Sequence, residues 1–270
     1  MSAVLEATTR TSHAAPVPAG PPSRIPMRRL LWVELTKVFD TRSGFWLIAS
    51  IGITALLATA AVMAFAPESD QTYESFAAAI GAPMSVILPM VAILAVTSEW
   101  SQRTGLTTFT LVPHRGRVLL AKAAVAVAIG VASMALALAV GALGNLVGAA
   151  VAGGPTVWDI PAANLATIVL ANVFCLLTGF VLGVVLRSSA AAIVGYFVFS
   201  FVLPNVLFLL GTVQDWFADL QPWVDFYFSY TTLFEGVPTG EQWAQIATSG
   251  SLWLVLPLAV GIRGVLRSEV

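Results

Sequence analysis

Six stretches of this chain are apolar for long enough to cross a bilayer, and all thirteen Lys and Arg residues fall on one side of them. The loops that alternation assigns to the other side hold no base and carry nine of the fourteen acids: Glu68, Asp70, Glu74, Asp159, Asp215, Asp219, Asp225, Glu235 and Glu241. Lys and Arg near span ends are retained in the cytoplasm. The asymmetry therefore predicts a multi-pass protein of the cell membrane with both termini cytoplasmic. Composition agrees: 58% of the residues are hydrophobic and 10% charged, against about 25% charged in a soluble domain.

The predicted architecture is all-α and polytopic, with spans near residues 45–66, 77–98, 118–147, 162–186, 189–210 and 246–262. The first covers about 33 Å at the helical rise, enough for a hydrocarbon core of about 30 Å. Pro83 and Pro89 fall within the second, where each removes a backbone donor and frees a carbonyl that must find a partner inside the protein. The third is too long for a perpendicular crossing, so it tilts or runs past the bilayer.

Ahead of the spans, residues 1–27 hold five prolines among small and polar residues and no apolar run of signal-peptide length. They read as a disordered cytoplasmic tail, with the transmembrane domain over 28–270. Between 28 and 42, Leu31, Trp32, Leu35, Val38 and Phe39 share a helical face opposite Arg29, Thr36, Lys37 and Asp40, with Leu30 and Val33 departing from the pattern. That predicts an amphipathic helix lying at the cytoplasmic interface. Between spans five and six, eight aromatics from Trp216 to Phe234 interleave with Asp215, Asp219 and Asp225. Trp and Tyr favour the headgroup level, so short re-entrant outside helices are expected there, either capping a cavity or anchoring the chain at the membrane surface. Gly144-x-x-x-Gly148 and Gly179-x-x-x-Gly183 predict close helix packing without naming the partner.

No ionisable side chain falls clearly at a bilayer midplane. Ion-coupled transporters usually bury such groups there, and membrane enzymes need clustered Glu, His, Asp or Ser–His groups. The uncharged Asn145, Asn164, Asn172 and Asn205 serve equally well as interhelical hydrogen-bond partners. The single cysteine, Cys175, lies within a span and excludes an intramolecular disulfide. His13 and His114 lack metal-ligand company.

The longest inside connector runs from Glu99 through Arg103, Gly105, Leu106, Phe109, Pro113 and Arg115 to Arg117, and Lys122 follows in the opening turns of span three. Leu106, Phe109 and Val112 are spaced for a short amphipathic helix, which Pro113 ends. An acid closing span two, a Thr/Gly-rich stretch (Thr104 to Thr110), Pro113 with Arg115 and Arg117, and Lys122 opening span three together resemble the ABC type-2 permease family of bacterial exporters. The likeness extends to the interfacial helix, the six spans and the outside helical segment.

The resemblance implies a permease subunit that pairs with a second permease copy, identical or not, each resting on a separate ABC ATP-binding subunit. The chain has no Gly-x-x-x-x-Gly-Lys-Ser/Thr loop. No cofactor is therefore expected in it; ATP and Mg would be bound by the partner, hydrolysis would occur there, and no nucleic acid is expected. Glu99, Arg103, Gly105, Leu106, Phe109, Pro113 and Arg115 would form the coupling element that docks on the ATPase. The helix carrying Leu31, Trp32, Leu35 and Phe39 would brace it. In the family, spans one, two and five surround the path, which makes Met84, Met90, Phe199, Asn205 and Phe208 its candidate lining. A non-transporting scaffold or immunity protein is the alternative class, and a small membrane enzyme a weaker one.

Overall fold

The computed structural model describes residues 25–101 and 115–267. Every assigned element among them is helical: α1 (Met27–Asp40), α2 (Arg42–Phe65), α3 (Tyr73–Ser101), α4 (Arg115–Ala152), α5 (Ala162–Leu186), α6 (Ser189–Phe197), α7 (Leu203–Val213), α8 (Asp215–Val224), α9 (Phe226–Glu235), α10 (Gly240–Gly250) and α11 (Leu256–Arg267). A short turn of helix at Glu68–Asp70 links α2 to α3. Six stretches are long and apolar enough to cross a membrane, the last two being Ser189–Val213, made of α6 and α7, and Gly240–Gly264, made of α10 and α11.

Both composite spans contain a wide turn. Residues Val198–Val202 and Ser251–Val255 wind as π-helix, and each stretch ends two residues before a proline, Pro204 or Pro257. A proline ring collides with the carbonyl four residues back and donates nothing to it. Widening the preceding turn relieves that collision. The same chemistry explains one contact in α3. Pro89 frees the carbonyl of Ser85, and Tyr196 Oη of α6 donates to that oxygen at 2.5 Å.

The main core is a stripe along α3 in steps of four: Ile80, Met84, Leu88, Ala92 and Val96. It meets Ile51 and Ala55 of α2, Leu119, Ala126, Met134 and Ala137 of α4, and Leu176, Phe180 and Val184 of α5. Glycines set how closely these helices approach. A Cβ on Gly179 would lie 2.7 Å from the Pro89 carbonyl oxygen, so α5 rides directly on the α3 backbone. A Cβ on Gly144 would lie 2.6 Å from Thr59 and 2.9 Å from the Phe76 ring. The two small-residue motifs are therefore seams inside one chain: the first seats Phe76, the second seats Pro89. A second cluster joins α5, the wide turn of span five, α9 and α10 through Cys175, Phe199, Phe226, Leu233 and Ile246.

Span six begins at Gly240, six residues before the expected 246. Its first turns are polar but firmly capped: Thr239 Oγ1 accepts from the Gln242 N–H at 3.3 Å, and Gln242 Oε1 accepts from the Thr239 N–H at 2.8 Å. This reciprocal capping box supplies partners for the orphaned donors of the helix start.

Candidate functional site

The two ends of the bundle carry different arrangements. At the basic end, α1 turns sharply into α2. Thr41 Oγ1 accepts from the Gly44 N–H at 3.1 Å, and only glycine fits at 44, because a Cβ there would lie 1.9 Å from the Val38 carbonyl oxygen. The bend lays α1 along the base of α4, where Leu30 packs on Val118 and Ala121. One turn further, Glu34 is 7% exposed and Lys122 3% exposed, and Lys122 Nζ donates to Glu34 Oε2 at 2.6 Å. Lys122 also reaches the Ala95 carbonyl at 3.3 Å, and Lys37 closes on Glu34 Oε1 at 2.8 Å. One buried ammonium thus ties α1, α3 and α4 together.

This pairing sets which face of α1 meets the bundle, a point the helical pattern alone left open. Leu30 and Glu34 face the bundle, whereas Trp32 and Phe39 are 69% and 52% exposed, with Leu31 and Leu35 half-buried between them. A lysine in a packed helix seam demands a carboxylate. That demand sets the rotation of α1 and leaves its aromatic stripe on the outer surface. It also removes Lys122 from the set of bases available for docking a partner. The signal was in the sequence: Lys122 stands alone between Ala121 and Ala123 at the head of a long apolar run.

Two further contacts close the same end. Thr97 Oγ1 and Ser189 Oγ lie 2.7 Å apart, joining α3 to α6. Arg187 forms the left-handed turn between α5 and α6 (φ 52), and its guanidinium lies against Gly264 of α11. The connector positions Arg103, Gly105, Leu106, Phe109 and Pro113 lie outside the described residues. Glu99 and Arg115 are helical backbone at the ends of α3 and α4 that flank them.

The acidic end is hollow. A cavity of about 360 Å³ lies between α3, α5, span five and α9. Glu74, Asp159 and Glu235 stand at its mouth, all exposed. Its α3 wall is a face of small residues, Ala77, Ala78, Gly81, Ala82 and Ser85. Its inner end gathers Cys175, Tyr196, Ser200 and Tyr230. Cys175 donates to Tyr230 Oη at 3.4 Å. Burial pushes the Tyr230 phenol well above its ordinary value of 10.0, with the neighbouring thiol adding to the shift, so the group is neutral.

A polar knot holds the α8–α9 lid in place. Asp225 is 2% exposed, caps α9 by accepting from the Phe228 N–H at 3.1 Å, and accepts from Gln221 Nε2 at 3.2 Å. Ser229 donates to the Pro222 carbonyl, which bends the lid back on itself, and Ser249 donates to Ser229 at 3.1 Å. Trp253 Nε1 donates to the Val224 carbonyl at 2.7 Å, fixing the lid to span six.

The candidate path residues are not brought together. Met84 is fully buried in the main core, Met90 packs near Ile93 and Tyr196, and Phe199 stacks edge-on against Trp253. Phe208 is 62% exposed, and Asn205, also exposed, spends its amide on the Phe201 carbonyl at 2.6 Å. None of the five lines the cavity. Among the described residues no group of His, Cys, Asp and Glu could hold a metal ion. No family model matches the chain, and no curated protein matches it.

Proposed function

We propose that this chain is the permease subunit of an ATP-driven exporter, with its basic end in the cytoplasm and ATP hydrolysed by a separate subunit. The observation that carries the reading is the three-way tie at Lys122. The helices entering and leaving the connector are α3 and α4, and Lys122 binds both of them and the interfacial α1 at one buried point. A load applied to the connector by a cytoplasmic partner is then passed to three helices at once instead of bending one. The order of parts around that point, and the acid and bases bounding the connector, are what the family resemblance rests on. Spans one and five expose most of their length, which leaves them available to a second permease copy and to lipid.

The test is purification from the native membrane followed by reconstitution. A stoichiometric ATP-binding subunit should accompany the chain, and Glu99→Ala with Arg103→Ala should leave insertion intact while uncoupling transport from hydrolysis. Recovery of the chain without any ATPase would defeat the proposal, as would unchanged ATP-dependent transport by the double variant.

A further inference from the structure

We infer that the cavity at the acidic end is a binding site for a free primary alkylammonium whose far end carries a hydrogen-bonding group. The site belongs to this chain alone and does not depend on the exporter reading. Small-molecule sites are concave, largely apolar and equipped with a few convergent polar groups, typically from about 300 Å³ upward. The cavity, at about 360 Å³, meets each of these criteria.

Its chemistry changes along its length. At the mouth, Glu74, Asp159 and Glu235 are exposed, and the loops of that end contain no Lys or Arg to neutralise them. Asp159 Oδ1 accepts from the Glu74 N–H at 2.8 Å, which draws the two acidic positions together. A cleft of one charge sign concentrates ligands of the other, so the head of the ligand is a cation. An attached phosphate would be repelled here, which disfavours the amine of a phospholipid headgroup and favours a free amine.

Next comes a slot of apolar wall. Ala77, Ala78, Gly81 and Ala82 repeat at helical spacing on one face of α3, and Phe201 and Phe234 supply rings opposite them. A Cβ built on Gly81 meets nothing within 4 Å, so the slot is open at that point. From residue 74 to residue 85 the helix rises about 16 Å, which is the length available to an alkyl chain.

The inner end is polar again. Ser200 is 5% exposed, lines the cavity, and faces the Tyr196 hydroxyl without a well-formed hydrogen bond to it, so its acceptor side is open toward the cavity. Tyr196 cannot serve it as a donor, because its own hydroxyl is committed to the Ser85 carbonyl. A buried hydroxyl without a partner costs about 1–3 kcal/mol, and a hydroxyl or amide at the ligand's far end removes that cost.

The probes are octylammonium, ω-hydroxyoctylammonium and the uncharged octanediol, equilibrated with the full-length protein in phosphatidylcholine nanodiscs and corrected for empty discs. ω-Hydroxyoctylammonium should bind saturably and most tightly, and octanediol at least about tenfold more weakly, as befits loss of a charge-assisted contact. Glu74→Gln with Glu235→Gln, which leaves Asp159 as the one carboxylate at the mouth, should weaken the ammonium probes about tenfold and reduce their dependence on salt. Gly81→Leu should fill the slot and abolish binding; Ala82→Leu serves if that variant fails to give a monodisperse protein. Ser200→Ala should cut the preference for the hydroxylated probe by about fivefold while leaving octylammonium unchanged. Equal binding of octanediol, or saturable binding that survives both the charge-reduced and the slot-filling variants, would overturn the assignment. Displacement of the probe by phosphatidylethanolamine in the disc would overturn its assignment to a free amine.

Discussion

The basic and acidic ends of the bundle treat polar groups in opposite ways. At the basic end, Lys122, Glu34 and Lys37 neutralise one another within packed helices, and Thr97 meets Ser189. At the acidic end, three carboxylates stand exposed around a void and Ser200 is left unpartnered below them. Closure at one end and hollowness at the other are both built on α3 and α6. The difference teaches that the helices themselves do not decide where space opens. What decides it is whether a side chain long enough to cross the gap, as Lys122 is, stands at that level.

The sharpest way to break the comparison is to open the closed end. Lys122→Met leaves the buried Glu34 with only the half-exposed Lys37 as counter-charge, and should lower stability by about 2–3 kcal/mol. Thermal unfolding in detergent reads this, and Glu34→Leu added to it should recover most of the loss. Equal stability of the single and double variants would show that the pair is not coupled. Gly179→Val should come next, at about 1–3 kcal/mol, since its new atoms collide with the Pro89 backbone; full retention of the unfolding midpoint would mean that the α3–α5 seam is looser than described. Tyr196→Phe removes the donor that Pro89 makes necessary at the Ser85 carbonyl, with an expected loss of about 1–3 kcal/mol.

Smaller effects sharpen the acidic end. Asp225→Ala takes away the α9 cap and one Gln221 partner, which should cost about 1 kcal/mol. Proteolysis between α8 and α9 should accelerate, and an unaltered cleavage rate would deny the cap that role. The smallest effect is one of pH. Because Tyr230 titrates higher folded than unfolded, its contribution is fully present below 10.0 and declines as pH rises past that value. The fall in stability above pH 10.0 should be shallower in Tyr230→Phe; identical alkaline profiles would exclude it.

The membrane architecture was legible because hydropathy over twenty residues is a strong signal, and short helices between spans five and six were legible from their run of aromatics, though not whether they cap or anchor. The start of span six was not, because Glu241, Gln242 and Gln245 make its first turns read as loop. The capping pair Thr239 and Gln242 was the cue that marked the start. The cavity was beyond reach for a different reason. Its inner end is joined by contacts between residues far apart in sequence, Ser85 with Tyr196 and Cys175 with Tyr230, each ordinary in its own helix. The candidate path residues came from the spans that surround the path in the resembling family, and of these Met84 and Phe199 pack inside the bundle away from the cavity. The small residues Gly81 and Ala82 mark the open space instead, because volume is left where side chains are short.

The ion pair beneath α4 also imposes an order on how the molecule is made. Glu34 and Lys122 are 88 residues apart. At about 5–20 residues per second, roughly 4–18 seconds separate their emergence from the ribosome. Over that interval α1 has its amphipathic surface and the local Lys37 partner, but not the buried ammonium that fixes Glu34 against the bundle. Its final rotation is settled only after two spans have been completed and the third begun, so the first helix of the bundle to be made is among the later ones to dock.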